Sequence, residues 1–224
     1  MEPVSPVKAL FDYMIASNAF AKVFVGVHER SEMEHMDGHE VVDWYIPPAY
    51  NPTSRWPDIA VLRLDSRIKF SKKVLPVCLP TSAARIGTKC FLAGFGVESP
   101  GVFPGQPRQL MGTIKALDVC HQTHPNSVGR LDPATTYCVE GHAGDSGSPL
   151  VCKQGAKWVM QGVYAGTTGD VNCPTSGHPL NVVVKVVPFL GEIQNFKAAA
   201  PKQPFPEINL IIKDFSHTKV LMKS

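Results

Sequence analysis

Short apolar runs, each stopped within a few residues by proline or glycine, limit this chain more than any other feature it has. The 224 residues hold 20 prolines and 18 glycines, and proline removes a backbone donor and breaks helix interiors. VVDWYI (41–46) ends at Pro47-Pro48. DIAVLRL (58–64) alternates, with Ile59 and Val61 inward and Arg63 outward. KVFVGV (22–27), KCFLAGFG (89–96), Met111 to Leu117, PLVC (149–152), WVMQGVYA (158–165) and VVVKV (182–186) are further strand signals. Between them, His28 to Glu40 and PGVFPGQPRQL (100–110) read as loops. Helical spacing is confined to the ends: Val7, Leu10, Phe11 and Met14 near the start, and VPFLGEIQNF (187–196) as a short terminal helix. Short strands, turn-rich connections and almost no helix predict an all-β barrel architecture.

Composition narrows what such a barrel does. Lysine and arginine are scattered, and the formal net charge is only +3, so nucleic acid is not an expected partner. No run of about 18 apolar residues is present, so no membrane span is expected. Six cysteines stand at 78, 90, 120, 138, 152 and 173 with no C-x-x-C pair. That spacing predicts disulfides in an oxidising compartment and no zinc site. Glu2 and Asp12 make the N-terminus a poor signal peptide, so the expectation is that the true beginning lies outside this sequence.

One stretch carries chemistry. In Gly141–Cys152, GHAGDSGSPLVC, a serine sits between glycines, follows an aspartate and runs at once into an apolar strand. Gly144 and Gly147 free the backbone for a tight turn. The N–H groups of Gly144 and Ser146 can then point into one space and stabilise an oxyanion. Asp58, at the head of DIAVLRL, is in isolation an ordinary turn residue.

GDSGSPLVC resembles the nucleophile motif of the chymotrypsin/trypsin family of serine proteases, with Ser148 where that family usually has glycine. DIAVLRL is similar to the strand headed by the family's buried aspartate, VLPVCLP (74–80) to the link between its barrels, and KCFLAGFG to the opening strand of its second barrel. The resemblance implies a chymotrypsin-like double β-barrel with an incomplete first barrel and a short C-terminal helix. It divides the chain into a non-matching segment 1–21, a protease domain 22–196 with the first barrel to about 80 and the second from about 81, and a tail 197–224.

The same resemblance assigns roles. Ser146 is the nucleophile, Asp58 the residue that orients a histidine base, and Gly144 with Ser146 the oxyanion hole. The family's alanine-alanine-histidine-cysteine motif is not found in this chain, and losing one member of a triad costs on the order of 10⁴-fold in rate. His35, His39 and His142 read as loop residues. The implied function is a secreted serine endopeptidase of a polypeptide substrate, inactive as given; the alternative is a non-catalytic homologue that binds a protein partner, and in either case a monomer. The implied disulfides are Cys90 with Cys152 and Cys120 with Cys138, leaving Cys78 and Cys173 as odd thiols. Glu140 falls near the base of the substrate pocket, Tyr164, Ala165 and Gly166 form its wall, and Leu180 makes it shallow. The acidic loop Glu29 to Glu40 partly resembles the family's calcium loop, but Val27 stands at a ligand position, so neither metal nor cofactor is expected.

Overall fold

A computed structural model describes residues 21–51, 53–54, 56–95, 104–123, 131–141, 147–167 and 180–200. The chain divides into two compact units, Met1–Pro76 with Gly191–Lys223, and Val77–Leu190.

In the first unit, β1 (Lys22–Val23), β2 (His39–Tyr45) and β3 (Val61–Leu64) form an antiparallel sheet in the order β1-β2-β3. Its apolar face gathers Ala21, Val23, Val41, Ala60 and Leu62, with Val25, Trp44, Ile46 and Leu64 packed against them. The strand expected over KVFVGV shrinks to two residues. Val23 pairs with His39, the first residue of β2, so past Val23 no residue of β2 remains to extend the ladder. The loop expected over His28 to Glu40 contains a 3-10 helix, Arg30–His35.

DIAVLRL also departs from its pattern. Only Val61–Leu64 is strand, and Asp58 to Leu62 are all buried instead of alternating. Arg63, expected outward, is half-buried and paired with Asp43 across β2 and β3 at 3.1 Å.

The second unit is a closed antiparallel barrel of β4 (Lys89–Gly94), β5 (Arg108–Lys115), β6 (Thr136–Glu140), β7 (Pro149–Gln154), β8 (Lys157–Thr167) and β9 (Leu180–Lys185). The order is β4-β5-β6-β9-β8-β7. Alternate residues of each strand point inward, and Cys90, Leu92, Ile114, Tyr137, Val139, Leu150, Cys152, Tyr164 and Val183 fill the interior. Cys90 lies directly opposite Cys152 and is bonded to it inside this core. Gly162 is needed for close approach: a Cβ there would stand 2.5 Å from Val183 Cγ1 and 2.7 Å from the Val184 carbonyl oxygen.

Two elements of this unit were not expected from the sequence. Strand β6, TYCVE, has four buried residues in a row and so no alternation to detect. Helix α1 (Leu117–Thr123) is too short to be stable from propensity alone. It is held on the outer face of β6 and β9 by the Cys120–Cys138 disulfide, among Leu117, Val119, Leu131, Leu180 and Val182.

After β9, a 3-10 turn (Val187–Phe189) leads into α2 (Leu190–Ala198). From Gly191 onward the helix groups with the three-stranded sheet. Tyr45 donates to Glu192 Oε2 at 2.7 Å and stacks near Phe196. Burial and that carboxylate push the Tyr45 hydroxyl up to about 12, so it remains a donor at neutral pH. Arg63 lies 4.5 Å over the Phe196 ring and donates to the Phe196 and Ala199 carbonyls, which caps the helix C-terminus.

Arg63 thus ties one buried carboxylate, an aromatic ring and a helix end together. Arg63→Ala is expected to cost about 3–5 kcal/mol, because it withdraws the cation from a buried acid. The double variant Asp43→Leu/Arg63→Met should cost clearly less. Guanidinium unfolding of both proteins checks this; equal losses would show that the ion pair is not what matters at this site.

Candidate active site

The segment leaving the GDSGS turn is fixed by strand pairing. Gly147 adopts φ 98°, a left-handed conformation that side chains rarely take. Its N–H donates to the Tyr164 carbonyl at 2.8 Å, and the Tyr164 N–H donates to the Ser148 carbonyl at 2.9 Å. Gly147 and Ser148 are therefore anchored to β8 as β7 begins. Ser148 is 7% exposed, so the side chain standing in for glycine is accommodated inside. Gly144 and Ser146 themselves lie outside the described residues, as do His142, Asp145 and Cys173.

Asp58 belongs to the first unit, three residues before β3. The Ile59 N–H closes back onto the Pro57 carbonyl at 3.0 Å, which sets Asp58 in a tight bend between two buried neighbours. The residue is 8% exposed. A buried carboxylate at a fixed bend has the chemistry needed to hold an imidazole N–H in one orientation. Of the three histidines expected in loops, His39 is instead the first residue of β2 and is engaged elsewhere: its Nδ1 is 2.8 Å from Ser66 Oγ, and Ser66 donates to Asp65. His35 ends the 3-10 helix.

The residues expected at the substrate pocket separate into two groups. Tyr164 is buried in the barrel interior, and β8 is irregular between Tyr164 and Gly166, with Ala165 at the irregularity. Leu180 packs against Cys120, Leu131 and Cys138. Glu140 shares the outward face of Cys138 by alternation, and its carboxylate is bound by Lys115 Nζ at 2.7 Å. Sequence reasoning missed Lys115, since its nearness to Glu140 follows from the β5–β6 register, in which Lys115 faces Cys138. It also missed Asn181, fully buried beside Gly141 and on the inward face shared with Val183.

The acidic loop before β2 is organised by one carboxylate. Glu32 Oε2 accepts from the His28 N–H at 2.8 Å and from the Glu29 N–H at 3.2 Å. Those two bonds hold its carboxyl below the ordinary value of 4.5, helped by the charges of Lys73 and His28. Among the described residues, no three histidine, cysteine or acidic side chains stand together as a metal-binding group.

Comparison with known proteins gives a consistent pattern. The family described as trypsin matches residues 15–191. Human granzyme H is 32% identical over 178 residues, which is 75% of this chain and 67% of that protein. Human transmembrane protease serine 5 is 29% identical, covering 86% of this chain and 43% of its own length. Mouse granzyme C is 32% identical over 66% of this chain and 62% of its own. This chain therefore spans less than two thirds of the last two relatives. Among solved structures, neuropsin, a serine protease expressed in the limbic system of mouse brain, superposes with a TM-score of 0.62 at 23% identity, covering 77% of each chain. That likeness speaks to the fold, which is chymotrypsin-like.

The Glu32 bonds make the loop pH-sensitive in one direction. A depressed carboxyl stabilises the folded loop fully above its unfolded pKa, and that contribution is lost as pH falls through the folded value. Amide exchange at His28 and Glu29 should stay protected near neutrality and lose protection in acid, at a pH below the ordinary carboxylate value of 4.5. Glu32→Gln should abolish the pH dependence. Equal acid sensitivity in that variant would place its origin at another group.

Proposed function

The chain belongs to the trypsin family of serine proteases, and from that premise we propose that it is a chymotrypsin-fold endopeptidase domain with Ser146 as nucleophile and Asp58 as the orienting acid. Gly144 and Ser146 supply the oxyanion donors in this reading. The observation that carries it is Asp58: a carboxylate 8% exposed, held in a bend at the entrance to β3, in the position the family motif gives its buried aspartate. The anchored Gly147–Ser148 step supports the nucleophile side.

The chain as given is inactive in this reading, because no alanine-alanine-histidine-cysteine segment supplies a base. Without the base, the serine hydroxyl keeps its proton, and attack on a carbonyl loses the contribution of the whole triad. Two disulfides support folding in an oxidising, extracellular setting. The domain limits proposed are 22–196, with 197–224 as a separate tail. Glu140 is assigned no cation-binding role toward substrate, since Lys115 already neutralises it. Leu180, buried against Cys120 and Cys138, is likewise assigned to the core and not to the pocket.

A second reading, a non-catalytic homologue that binds a protein partner, is favoured by a specific feature: an exposed apolar patch on the second barrel flanked by the exposed Lys89 and Lys153.

Fluorophosphonate labelling separates the two states of the serine. The chain as given is expected to label no more than its Ser146→Ala variant. Stoichiometric modification of Ser146 would mean that a base is present, and the inactive assignment would fall.

A further inference from the structure

Strands β4, β5, β7 and β8 contain no aspartate or glutamate. Cys90, Leu92, Leu150 and Cys152 point into the barrel, so Lys89, Phe91, Val151 and Lys153 point out. Register sets Met111 and Val151 on either side of Phe91. It sets Trp158 opposite Lys153. The Phe91 and Trp158 rings meet edge to face at 5.6 Å. Met111 is 54% exposed and Trp158 45%. Lys89 and Lys153 occupy adjoining positions one step beyond the paired Cys90 and Cys152. Both are exposed, and neither has an ion pair among the described residues.

Such an arrangement is unfavourable in the isolated barrel. Like charges on neighbouring strands repel, and large apolar side chains left in water form the kind of patch that marks contact surfaces. An apolar centre with aromatic and methionine side chains and a charged rim is the composition of a protein–protein contact. A polyanion such as nucleic acid or a sulfated glycan calls for a dense cationic track without an apolar centre. A bilayer calls for aromatic groups projecting past the surface, whereas Trp158 lies against Phe91.

We infer that the outer patch of the second barrel formed around Phe91, Met111 and Trp158 docks an acidic segment of a partner protein. Its apolar side chains rest on Met111, Phe91 and Trp158, and its carboxylates meet Lys89 and Lys153. The surface acts independently of the serine, so it serves either an active or an inactive barrel.

Fluorescence anisotropy with the full chain tests this, using a fluorescein-labelled peptide that alternates glutamate with phenylalanine and leucine. Binding is expected to weaken with added salt, and by about tenfold or more in Lys89→Glu/Lys153→Glu and in Trp158→Ser. The control Lys72→Glu/Lys73→Glu, in the first unit, should bind as the parent does. Thermal unfolding of each variant confirms that the barrel is intact. No binding of the peptide, equal binding by the Lys89/Lys153 variant, equal binding of a hexaglutamate peptide, or preference for phosphatidylserine vesicles or a heparin-type oligosaccharide would each overturn the inference. None of these outcomes bears on labelling at Ser146, so the two proposals fail separately.

Discussion

Closure of the six-stranded barrel is the constraint on which the second unit depends. β4 pairs with β5 on one side and with β7 on the other, so the ring has no free edge and each strand finds its backbone partners in its neighbours. Closure fixes which residues are inside. It puts Cys90 across from Cys152, where a bond between them joins strands 62 residues apart in sequence. It also requires Gly162 where β8 crosses Val183 and Val184. Gln161, fully buried on β8, accepts from the Tyr137 hydroxyl and the Ala84 N–H and donates to the Ser82 carbonyl. The segment entering the barrel is thereby pinned to it with its polar groups satisfied.

The first unit solves a different problem with fewer strands. Three strands supply one apolar face, and β2 and β3 also carry the Asp43–Arg63 pair to which the C-terminal helix is fastened. Arginine suits that position because its planar guanidinium reaches a carboxylate, two carbonyls and a ring face at once. The segment holding Asp58 leads directly into this strand, so the bend at Pro57–Ile59 and the helix attachment share one short piece of chain.

Two residues that the resemblance associates with the pocket lie on the outer face of β6 and β9. Glu140, which the resemblance puts near the pocket base, is paired with Lys115 on the outer face of β5 and β6. Leu180, which the resemblance puts in the pocket, packs with α1 against β6 and β9. Both outcomes come from alternation along strands. A residue one position earlier or later on β6 or β9 faces the interior instead, as Val139 and Asn181 do. The outward placement of Lys89, Phe91, Val151 and Lys153 follows from the same alternation, which turns Cys90, Leu92, Leu150 and Cys152 into the barrel.

By itself the sequence determined the strand-rich class, most strand positions, the terminal helix and the motif around Ser146, because short apolar runs, proline stops and a glycine-flanked serine are local signals. The resemblance added the two disulfides, Cys90–Cys152 and Cys120–Cys138, both formed in the structure. Tertiary structure alone decided the rest. It made Arg63 a half-buried clamp instead of a solvent-facing charge, cut KVFVGV to two paired residues, turned TYCVE into a barrel strand and folded LDVCHQT into a helix held by a disulfide. It also gave Glu140 to Lys115 and set Phe91 against Trp158. Each of these depends on which strand lies beside which and in what register, and pairing between segments distant in the chain leaves no mark in the local pattern of either one.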